Sequence, residues 1–322
     1  MYLVEPSVVP VVSHSIHKKI EHCGRICYKS KSDNTEEGAR NFVEKIMKRG
    51  HLSVLEHYRM RVKFNSFSDM QKYGELRQLI LNSSSRRYLD TVDSVNPTEG
   101  KIAAYDSITG NARAFLEFII SHTDDGKYPK HPTVMFLSNI LHDQVSDVIF
   151  PCFRDYNISD HNITVTEDPN YMTVHIVTDR GVLCELTRHR RMSFSVESTR
   201  YCNYVKKGLA FCLPRPFEYA DILEDLYVNR EDITDAMIDK KNGIVVNNIL
   251  NIMKSTETAY KLAIESGQSP QEARMLLPHM LKTEIIMSGP MHEWEHVLRL
   301  RCAPDAHPQC KYIAEKLCNI VN

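Results

Sequence analysis

The sequence predicts a fold of the α/β class, because helical and strand patterns follow one another along one chain. Apolar side chains recur at helical spacing in His14–Tyr28 and in a second stretch that ends near Gly50. Residues 58–64 instead alternate apolar and basic side chains, which is typical of a half-buried strand. Residues 171–178 are expected to form another strand. Mixed helix and strand content therefore follows from the residues alone.

Further helices are expected on both sides of that second strand. From about residue 65 to residue 170 the pattern is largely helical, with helices around Leu76, at Ala104–Ile120 and at Val134–Ile149, and a loop at Pro151–Asn170.

Later in the chain, Asp221–Lys241 reads as a surface helix and Val245–Ser266 as a long amphipathic helix. Ser269 followed by Pro270 is typical of a helix start, and Asp33, Asn34 or Thr35 is expected to cap the second helix.

Length and composition limit the class of protein. With 322 residues the chain can bury a sizeable core in one large or two modest domains. Its 40 basic and 41 acidic residues are balanced, which argues against a general nucleic-acid or membrane-binding surface. The first residues lack the basic and apolar regions of a signal peptide. The nine cysteines, an odd number, therefore indicate reduced thiols and a cytoplasmic location.

A basic and hydroxyl-rich stretch follows an apolar, strand-like segment and is the first candidate site. It begins with four basic residues in a row, 188–191, and continues with Ser193, Ser195, Ser198 and Thr199 before Arg200. Guanidinium groups bind phosphate oxygens in pairs, and hydroxyls add neutral donors. The stretch therefore suits an anionic, nucleotide-like ligand, although a solvated basic turn would show a similar composition.

Two other patterns carry possible chemistry. His51, Ser53, Glu56 and His57 stand at a predicted helix-to-strand junction, where histidines are often only structural. The segment 292–296 has the form His-Glu-x-x-His, which on a helix can bind zinc with Glu293 as a base. Glu315 lies downstream at a distance seen for a third zinc ligand. Gly289 and Pro290 precede this helix directly, which places His292 in its first turn.

Four blocks of the chain together resemble the flavin-dependent thymidylate synthases of the ThyX family. The family signature is Arg-His-Arg, seven residues and Ser, continuing to Arg-Tyr, which is matched by 188–190, Ser198 and 200–201. The segment 51–57 is similar to its His-x-Ser/Thr-x-x-Glu-His pattern. Ala273 to Pro278 is similar to its Ala-Arg-x-x-Leu-Pro pattern, and residues 281–309 resemble its C-terminal block.

The resemblance implies a fold, an activity and an assembly. It implies one catalytic domain over residues 1–322, with a mixed or antiparallel central sheet flanked by helices, and a mostly helical insertion at about 65–170. It implies reductive methylation of dUMP to dTMP with FAD as cofactor and with NADPH and methylenetetrahydrofolate as co-substrates. Small molecules would be its partners, with no nucleic acid and no membrane, and sites would form between the subunits of a homotetramer.

The resemblance also implies roles for individual residues. Arg301 falls on the arginine that activates the pyrimidine, and Arg188 and Ser198 join it as catalytic residues. The residues expected to bind dUMP are Glu185, Arg188, Glu197, Ser198, Arg200, Arg274 and Arg301. The residues expected to bind FAD are His51, Ser53, Glu56, Arg188, His189, Arg190, Ser195, His292 and His296.

Several positions depart from the family pattern and leave alternatives open. Val196 stands where the signature has a polar residue, so Glu197 takes over a polar role or contributes only its backbone. Pro290 replaces an Asn and His292 replaces an Arg. A nucleotide- or flavin-binding paralogue without synthase activity is one alternative, and a zinc peptidase using His292 and His296 is another. A nucleic-acid binder is disfavoured by the balanced charge.

Overall fold

The computed structural model describes residues 1–13, 15–65, 67–82, 89–92, 107–124, 128–153, 162–221, 223 and 241–321. The chain divides into two compact units. Unit 1 comprises Met1–Val11, Gly24–Lys31 and Met172–Asn322, and unit 2 comprises Val12–Cys23 and Ser32–Tyr171. The division falls within the first helix, α1 (Ile16–Tyr28).

Unit 1 contains a four-stranded sheet with helices, as the predicted fold class requires. Its strands are β1 (Tyr2–Val4), β2 (Ser7–Pro10), β9 (Tyr171–Asp179), β10 (Ser193–Val196), β11 (Ala210–Cys212) and β12 (Lys282–Pro290). Its helices are α6 (Arg180–Leu186), α7 (Tyr204–Lys207), α8 (Lys241–Glu265), α9 (Pro270–Ala273), α10 (Met291–Arg301) and α11 (Pro308–Val321), with a 3-10 turn at Arg274–Leu276.

The sheet of unit 1 has the order β10-β12-β9-β2, and β1 pairs with β11 in parallel beside it. The β10–β12 and β2–β9 pairs are antiparallel. A core of apolar side chains from β9, β12, α6, α10 and α11 packs around the fully buried Trp294. Burial of that side chain stabilises the fold, because large aromatic groups remove much apolar surface from water. The core thus fixes α6 and α10, which carry the candidate site.

Unit 2 contains a second antiparallel sheet, of order β4-β5-β3-β8. Its strands are β3 (Arg59–Phe64), β4 (Leu89–Val92), β5 (Ser107–Asn111) and β8 (Ile163–Glu167), and β6 (Thr123–Asp124) pairs with β7 (Tyr128–Pro129). Its helices are the first part of α1, α2 (Glu36–Lys48), α3 (Phe67–Asn82), α4 (Ala112–Ser121) and α5 (Pro132–Gln144), with a 3-10 turn at Leu52–His57. Phe64 and Tyr73 meet edge to face in its core, with ring centroids 5.5 Å apart.

A Ser–His–Glu chain in unit 2 is structural. His17 Nε2 lies 2.9 Å from Ser146 Oγ, and His17 Nδ1 lies 2.9 Å from Glu36 Oε1. The same Ser146 oxygen accepts hydrogen bonds from the backbone N–H groups of Val148 and Ile149, and the residue is 3% exposed. A nucleophile needs an accessible oxygen, so this serine caps a turn and ties it to α1.

Most predicted elements are confirmed. The strands at 58–64 and 171–178 are β3 and β9, and the long helix at Val245–Ser266 is α8. Thr35 caps α2 by accepting a hydrogen bond from the Gly38 N–H. Ser269 begins α9 with the predicted proline in its first turn.

Three expectations about local structure are wrong. The predicted helix at Ala104–Ile120 begins only at Ala112, because residues 107–111 form β5 and Asn111 caps α4 by accepting from the Ala114 N–H. The predicted loop at Pro151–Asn170 contains β8, whose β-branched residues favour a strand. The segment before the basic run is helix α6 and not strand-like, because Asp179 caps it.

The expected insertion therefore contributes strands β4, β5 and β8 as well as helices α3, α4 and α5. The predicted surface helix at Asp221–Lys241 lies almost entirely outside the described residues, as do residues 104–106 and 154–161. Among the described residues, no helix is both long and apolar enough to cross a membrane.

Candidate active site

A cationic cleft in unit 1 brings together the basic run and helix α10. The cleft has a volume of about 460 Å³ and is lined by Arg188, His189, Arg190, Arg191, His292, Glu293, His296, Leu300 and Arg301. Four arginines and three histidines thus surround one carboxylate among its lining residues. We call this the cationic cleft. Such an excess of positive charge focuses an attractive potential on an anion.

Local structure explains why these residues meet. Helix α6 is capped by Asp179 and ends at Leu186. The basic run begins at Arg188, directly after the C-terminal cap of this helix. Helix α10 begins at Met291 directly after β12, and its buried residues Trp294 and Val297 turn the opposite face towards the run. His292, His296 and Arg301 therefore line the cleft together.

Arg301 is the most constrained cation of the cleft. Its Nη1 donates to Glu185 Oε2 at 2.7 Å, its Nη2 donates to the Glu185 carbonyl at 2.6 Å, and its Nε donates to His189 Nε2 at 3.0 Å. The side chain is 15% exposed. Charge-assisted hydrogen bonds from three nitrogens fix the plane of a guanidinium group. Arg301 is therefore a positive charge held in one orientation at the edge of the cleft.

His189 is held neutral beside this arginine. Burial and the neighbouring Arg301 lower the pKa of His189 to about 4. Since a guanidinium can only donate, Nε2 accepts its hydrogen bond and the imidazole proton belongs on Nδ1. His296 lies beside it, with ring centroids 5.9 Å apart. His189 is thus a neutral donor at neutral pH.

The remaining cleft residues are more exposed. Arg191 Nη1 lies 3.0 Å from Glu293 Oε1, and His292 Nε2 lies 3.6 Å from the same oxygen. Arg188 is 73% exposed and lies 3.9 Å from Glu185. Arg190 is also exposed. Exposed cations that are weakly paired remain available to a ligand.

The His-Glu-x-x-His segment does not collect further ligands. His292 is indeed in the first turn of α10, and Glu293 binds Arg191. In the part of the chain that the structure describes, no group of three or more His, Cys, Asp or Glu side chains could hold a metal ion. No finding favours the zinc peptidase alternative.

A second group of predicted residues lies after β10. Ser198 Oγ accepts a hydrogen bond from the Arg200 N–H, and Arg200 Nε donates to Gln271 Oε1 at 2.9 Å. Gln271 belongs to α9, which ends immediately before Arg274. Both Arg200 and Arg274 are exposed. The structure therefore connects Ser198 and Arg200 to the short helix that directly precedes Arg274.

Two predicted contact residues are buried. Ser195 is 4% exposed in β10, opposite Ile286. Glu197 is 1% exposed, and its carboxylate binds Lys282 Nζ at 2.9 Å and the Tyr204 hydroxyl at 3.0 Å. Both side chains are thus enclosed within unit 1. Their contacts with a ligand stay predictions.

The remaining predicted residues belong to unit 2 and share one 3-10 turn. His51 precedes the turn and Ser53 lies within it, and both are exposed. Glu56 Oε1 accepts a hydrogen bond from Arg113 Nη1 at 2.7 Å. His57 ends the turn fully buried, and burial lowers its pKa to about 3. His57 is therefore a neutral core residue.

Some residues of the cleft were not among the predicted site residues. Arg191 and Glu293 line the cleft and bind each other. Arg191 could have been found from the basic run itself. Glu293 was visible only as part of the competing zinc pattern. Arg113, which binds Glu56, had no signal in the sequence.

The donor set fits a phosphate-bearing group. Exposed guanidinium and imidazole groups in one cleft provide paired donors and positive charge, which a nucleotide or dinucleotide phosphate requires. The cleft has one lining carboxylate, Glu293, and Arg191 already neutralises it.

Curated relatives match part of the chain. A probable flavin-dependent thymidylate synthase of Paramecium bursaria Chlorella virus 1 is 27% identical over 131 residues, which are 41% of this chain and 56% of that protein. A flavin-dependent thymidylate synthase of Haloarcula marismortui is 26% identical over 145 residues, 43% of this chain and 57% of that protein. The one from Corynebacterium efficiens is 26% identical over 136 residues, 42% and 50% of the two chains. The chain thus spans about half the length of these relatives.

The family comparison covers much more of the chain. The sequence model of the family described as thymidylate synthase complementing protein matches residues 11–122 and 153–322. The unmatched interior, residues 123–152, is much shorter than the roughly hundred residues that we expected to interrupt the resemblance. Strands β3, β5 and β8 and the whole cationic cleft lie within the matched ranges. The chain therefore belongs to the thymidylate synthase complementing protein family.

Proposed function

We propose that this protein is a flavin-dependent thymidylate synthase, which converts dUMP to dTMP by reductive methylation. FAD would be its cofactor, and methylenetetrahydrofolate and NADPH its co-substrates. The observation that supports this most is the fixed Arg301–Glu185–His189 arrangement beside exposed arginines, within residues that the family model matches. Fixed positive charge next to open cationic positions suits a negatively charged pyrimidine nucleotide.

Arg301 would act on the uracil ring. Carbon 5 of uracil must become nucleophilic, and negative charge then develops on the imide edge of the ring. A guanidinium held in place by Glu185 and His189 stabilises that charge without reorganising. Arg188 would approach the same ligand from the exposed side of Glu185. Polarisation of the ring thus replaces an attacking enzyme thiol.

The phosphate of dUMP would bind to Arg188, Arg200 and Arg274, with Ser198 donating a hydrogen bond. Arg200 and Arg274 are exposed and belong to connected segments, as their link through Gln271 indicates. Paired guanidinium groups hold a phosphate in one orientation, which positions the ring relative to the reacting partner.

FAD would be held by cationic and polar side chains. In unit 1 these are His189, Arg190, His292 and His296, together with Arg188. In unit 2 they are His51, Ser53 and Glu56. The bound flavin supplies the reducing equivalents, and the protein supplies orientation and field.

We also propose that the chain forms one catalytic domain and assembles as a homotetramer in the cytoplasm, with sites shared between subunits. The domain and the assembly follow from the family resemblance, and the location follows from the odd number of cysteines. Sedimentation analysis of the purified protein tests the assembly.

The first experiment is the visible absorption spectrum of the protein after incubation with FAD and desalting, with a zinc determination on the same sample. We expect a retained flavin spectrum without stoichiometric zinc, followed by methylation of dUMP when folate and NADPH are added. Retained flavin and bound dUMP without turnover would identify the paralogue instead. One zinc per chain without flavin would refute the proposal.

A further inference from the structure

A buried ionic cluster lies behind the segment that carries Ser198 and Arg200. Lys282 Nζ binds Glu197 Oε2 at 2.9 Å and also binds Glu284, whose other oxygen lies 3.0 Å from His175 Nε2. Lys29 Nζ lies 3.7 Å from Glu197 Oε1. We call Lys29, Glu197, Lys282 and Glu284 the buried cluster. Lys282 and Glu197 are 6% and 1% exposed, whereas Lys29 and Glu284 at the border of the cluster are 23% and 25% exposed. The two lysines balance the two glutamates, so the buried charges are compensated.

The protonation states of the cluster keep its charges in place. Burial acts to lower the pKa of Lys282, but Glu197 and Glu284 outweigh it and raise that pKa. Burial acts to raise the pKa of Glu284, but His175 and Lys282 outweigh it and lower that pKa to about 2. Burial and Glu197 raise the pKa of Tyr204, so its hydroxyl stays a donor to the Glu197 carboxylate.

Lys29 reaches the cluster at a conformational cost. It follows α1 with φ 48°, the left-handed region in which glycine usually ends a helix. A side chain in this region is sterically disfavoured, because its Cβ approaches the following carbonyl oxygen. Its Nζ is buried and has no hydrogen-bond partner among the described residues, but it lies over the Tyr204 ring at 5.8 Å. A glycine at this position would avoid the steric strain of the left-handed backbone. The lysine instead provides a positive charge close to Glu197.

The backbone next to Glu197 is held at the same place. The Glu197 N–H donates to the Glu284 carbonyl at 2.9 Å, and the Ser198 N–H donates to the Cys27 carbonyl at 3.1 Å. Lys207 Nζ donates to the Lys29 carbonyl at 3.1 Å. The end of α1, the start of β12 and the segment after β10 therefore converge on one point.

The exposed side of the same segment carries the ligand-facing groups. Ser198 is partly buried and Arg200 is exposed, where it contacts Gln271 before Arg274. A displacement of Glu197 would thus move Ser198, the next residue, and with it Arg200. Small misplacements of binding groups weaken the binding of a ligand strongly.

We propose that Lys29 and Lys282 are positioning residues, which act through Glu197 to hold Ser198 and Arg200 in the geometry that binds the phosphate of the nucleotide. This proposal rests on the proposed function. It replaces the expected contact between Glu197 and the substrate, because the Glu197 carboxylate is enclosed by Lys282, Tyr204 and Lys29.

A compensation experiment tests the proposal. Glu197→Gln leaves two buried lysines with too little negative charge, so we expect the Kd for dUMP, measured by calorimetry on the FAD-loaded protein, to rise about tenfold. The double variant Glu197→Gln with Lys29→Met removes one charge of each sign. It should bring the Kd back close to that of the wild type, while flavin stays bound in both variants.

The matched control is Lys261→Met, which removes a lysine charge from the exposed pair with Glu265 on α8. It should leave the Kd unchanged. A double variant that binds dUMP as poorly as Glu197→Gln would overturn the proposal in favour of direct contact. An unchanged Kd in Glu197→Gln, even with a lower melting temperature, would reduce the cluster to a stabilising role and would also overturn it.

Hydrogen exchange separates this proposal from the proposed function. We expect faster amide exchange in residues 198–203 of Glu197→Gln and recovery in the double variant, both measured without ligand. If the wild-type protein does not bind dUMP, the proposed function fails. The exchange pattern, which needs no ligand, still shows whether the cluster positions residues 198–203. Equal exchange in all variants would refute positioning.

Discussion

The cationic cleft and the buried cluster are both rich in charge, but they differ in balance and exposure. The cleft lining has four arginines and three histidines around one glutamate, and Arg188 and Arg191 within it are 73% and 82% exposed. The buried cluster pairs two lysines with two glutamates, and the side chains of Lys282 and Glu197 are 6% and 1% exposed.

This difference separates binding from positioning. Uncompensated positive charge is tolerated where water screens it, and there it attracts an anionic ligand. Charge inside the protein must be neutralised by its own neighbours, so it cannot serve a ligand as well. Arg301 stands between the two cases, since it is 15% exposed and borders the cleft while Glu185 and His189 hold it. This intermediate position fits a residue that acts on the substrate.

Arg301→Ala should therefore have the largest effect of any single change. It removes the fixed positive charge that we propose acts on the uracil, and we expect turnover to fall on the order of a thousandfold while FAD stays bound. Steady-state assay of dTMP formation and the flavin spectrum after desalting measure the two properties. Glu295→Ala is the control on the same helix, because that side chain is exposed and does not line the cleft. A variant that loses flavin but keeps turnover when FAD is added would show that the role of Arg301 is wrongly assigned.

The second prediction contrasts stability between the two regions. Lys282→Met leaves Glu197 and Glu284 without their shared lysine, and removing one partner of a buried pair lowers the free energy of unfolding by about 3–5 kcal/mol. Arg188→Met removes an exposed charge 3.9 Å from Glu185, and we expect a loss below about 1 kcal/mol. Urea denaturation of both variants measures the difference. Equal losses would mean that exposure does not distinguish the regions.

The cleft could be predicted from sequence much better than the cluster. The run 188–191 is contiguous, and the resemblance of the C-terminal block placed His292, His296 and Arg301 with it. The contiguous basic run and the spacing of the family motifs thus allowed the cleft residues to be predicted. The pairing of Arg301 with Glu185 was not predicted, because it depends on how α6 and α10 pack.

The buried cluster had no comparable signal. Lys29, Glu197 and Lys282 are far apart in the chain, and the two lysines look like ordinary surface residues. Their meeting depends on tertiary pairing of β10 with β12 and on the left-handed turn after α1. For the same reason β5 and β8 were missed, since their pairing with β3 is not local. The expected contact between Glu197 and the ligand was therefore stated without knowledge of Lys282 and Tyr204, which bind its carboxylate.

The third prediction uses pH to separate the two regions. The pKa of His189 falls from 6.5 to about 4, so below pH 6.5 the unfolded chain takes up a proton that the folded cleft does not. Stability is then lost as the pH falls from 6.5 towards 4. The pKa of Glu284 falls from 4.5 to about 2, so its contribution is lost between those lower values.

Two variants assign these pH windows to their residues. His189→Gln should flatten the dependence of the urea midpoint on pH between 6.5 and 4.5, where Glu284 does not yet contribute. Glu284→Gln should leave that range unchanged and flatten the dependence below 4.5. Fully buried His57, with a pKa of about 3, adds the same slope to both variants, so it cancels in their difference. If His189→Gln keeps the wild-type slope above pH 4.5, burial and Arg301 do not hold His189 neutral, and the hydrogen bond from Arg301 to that imidazole loses its support.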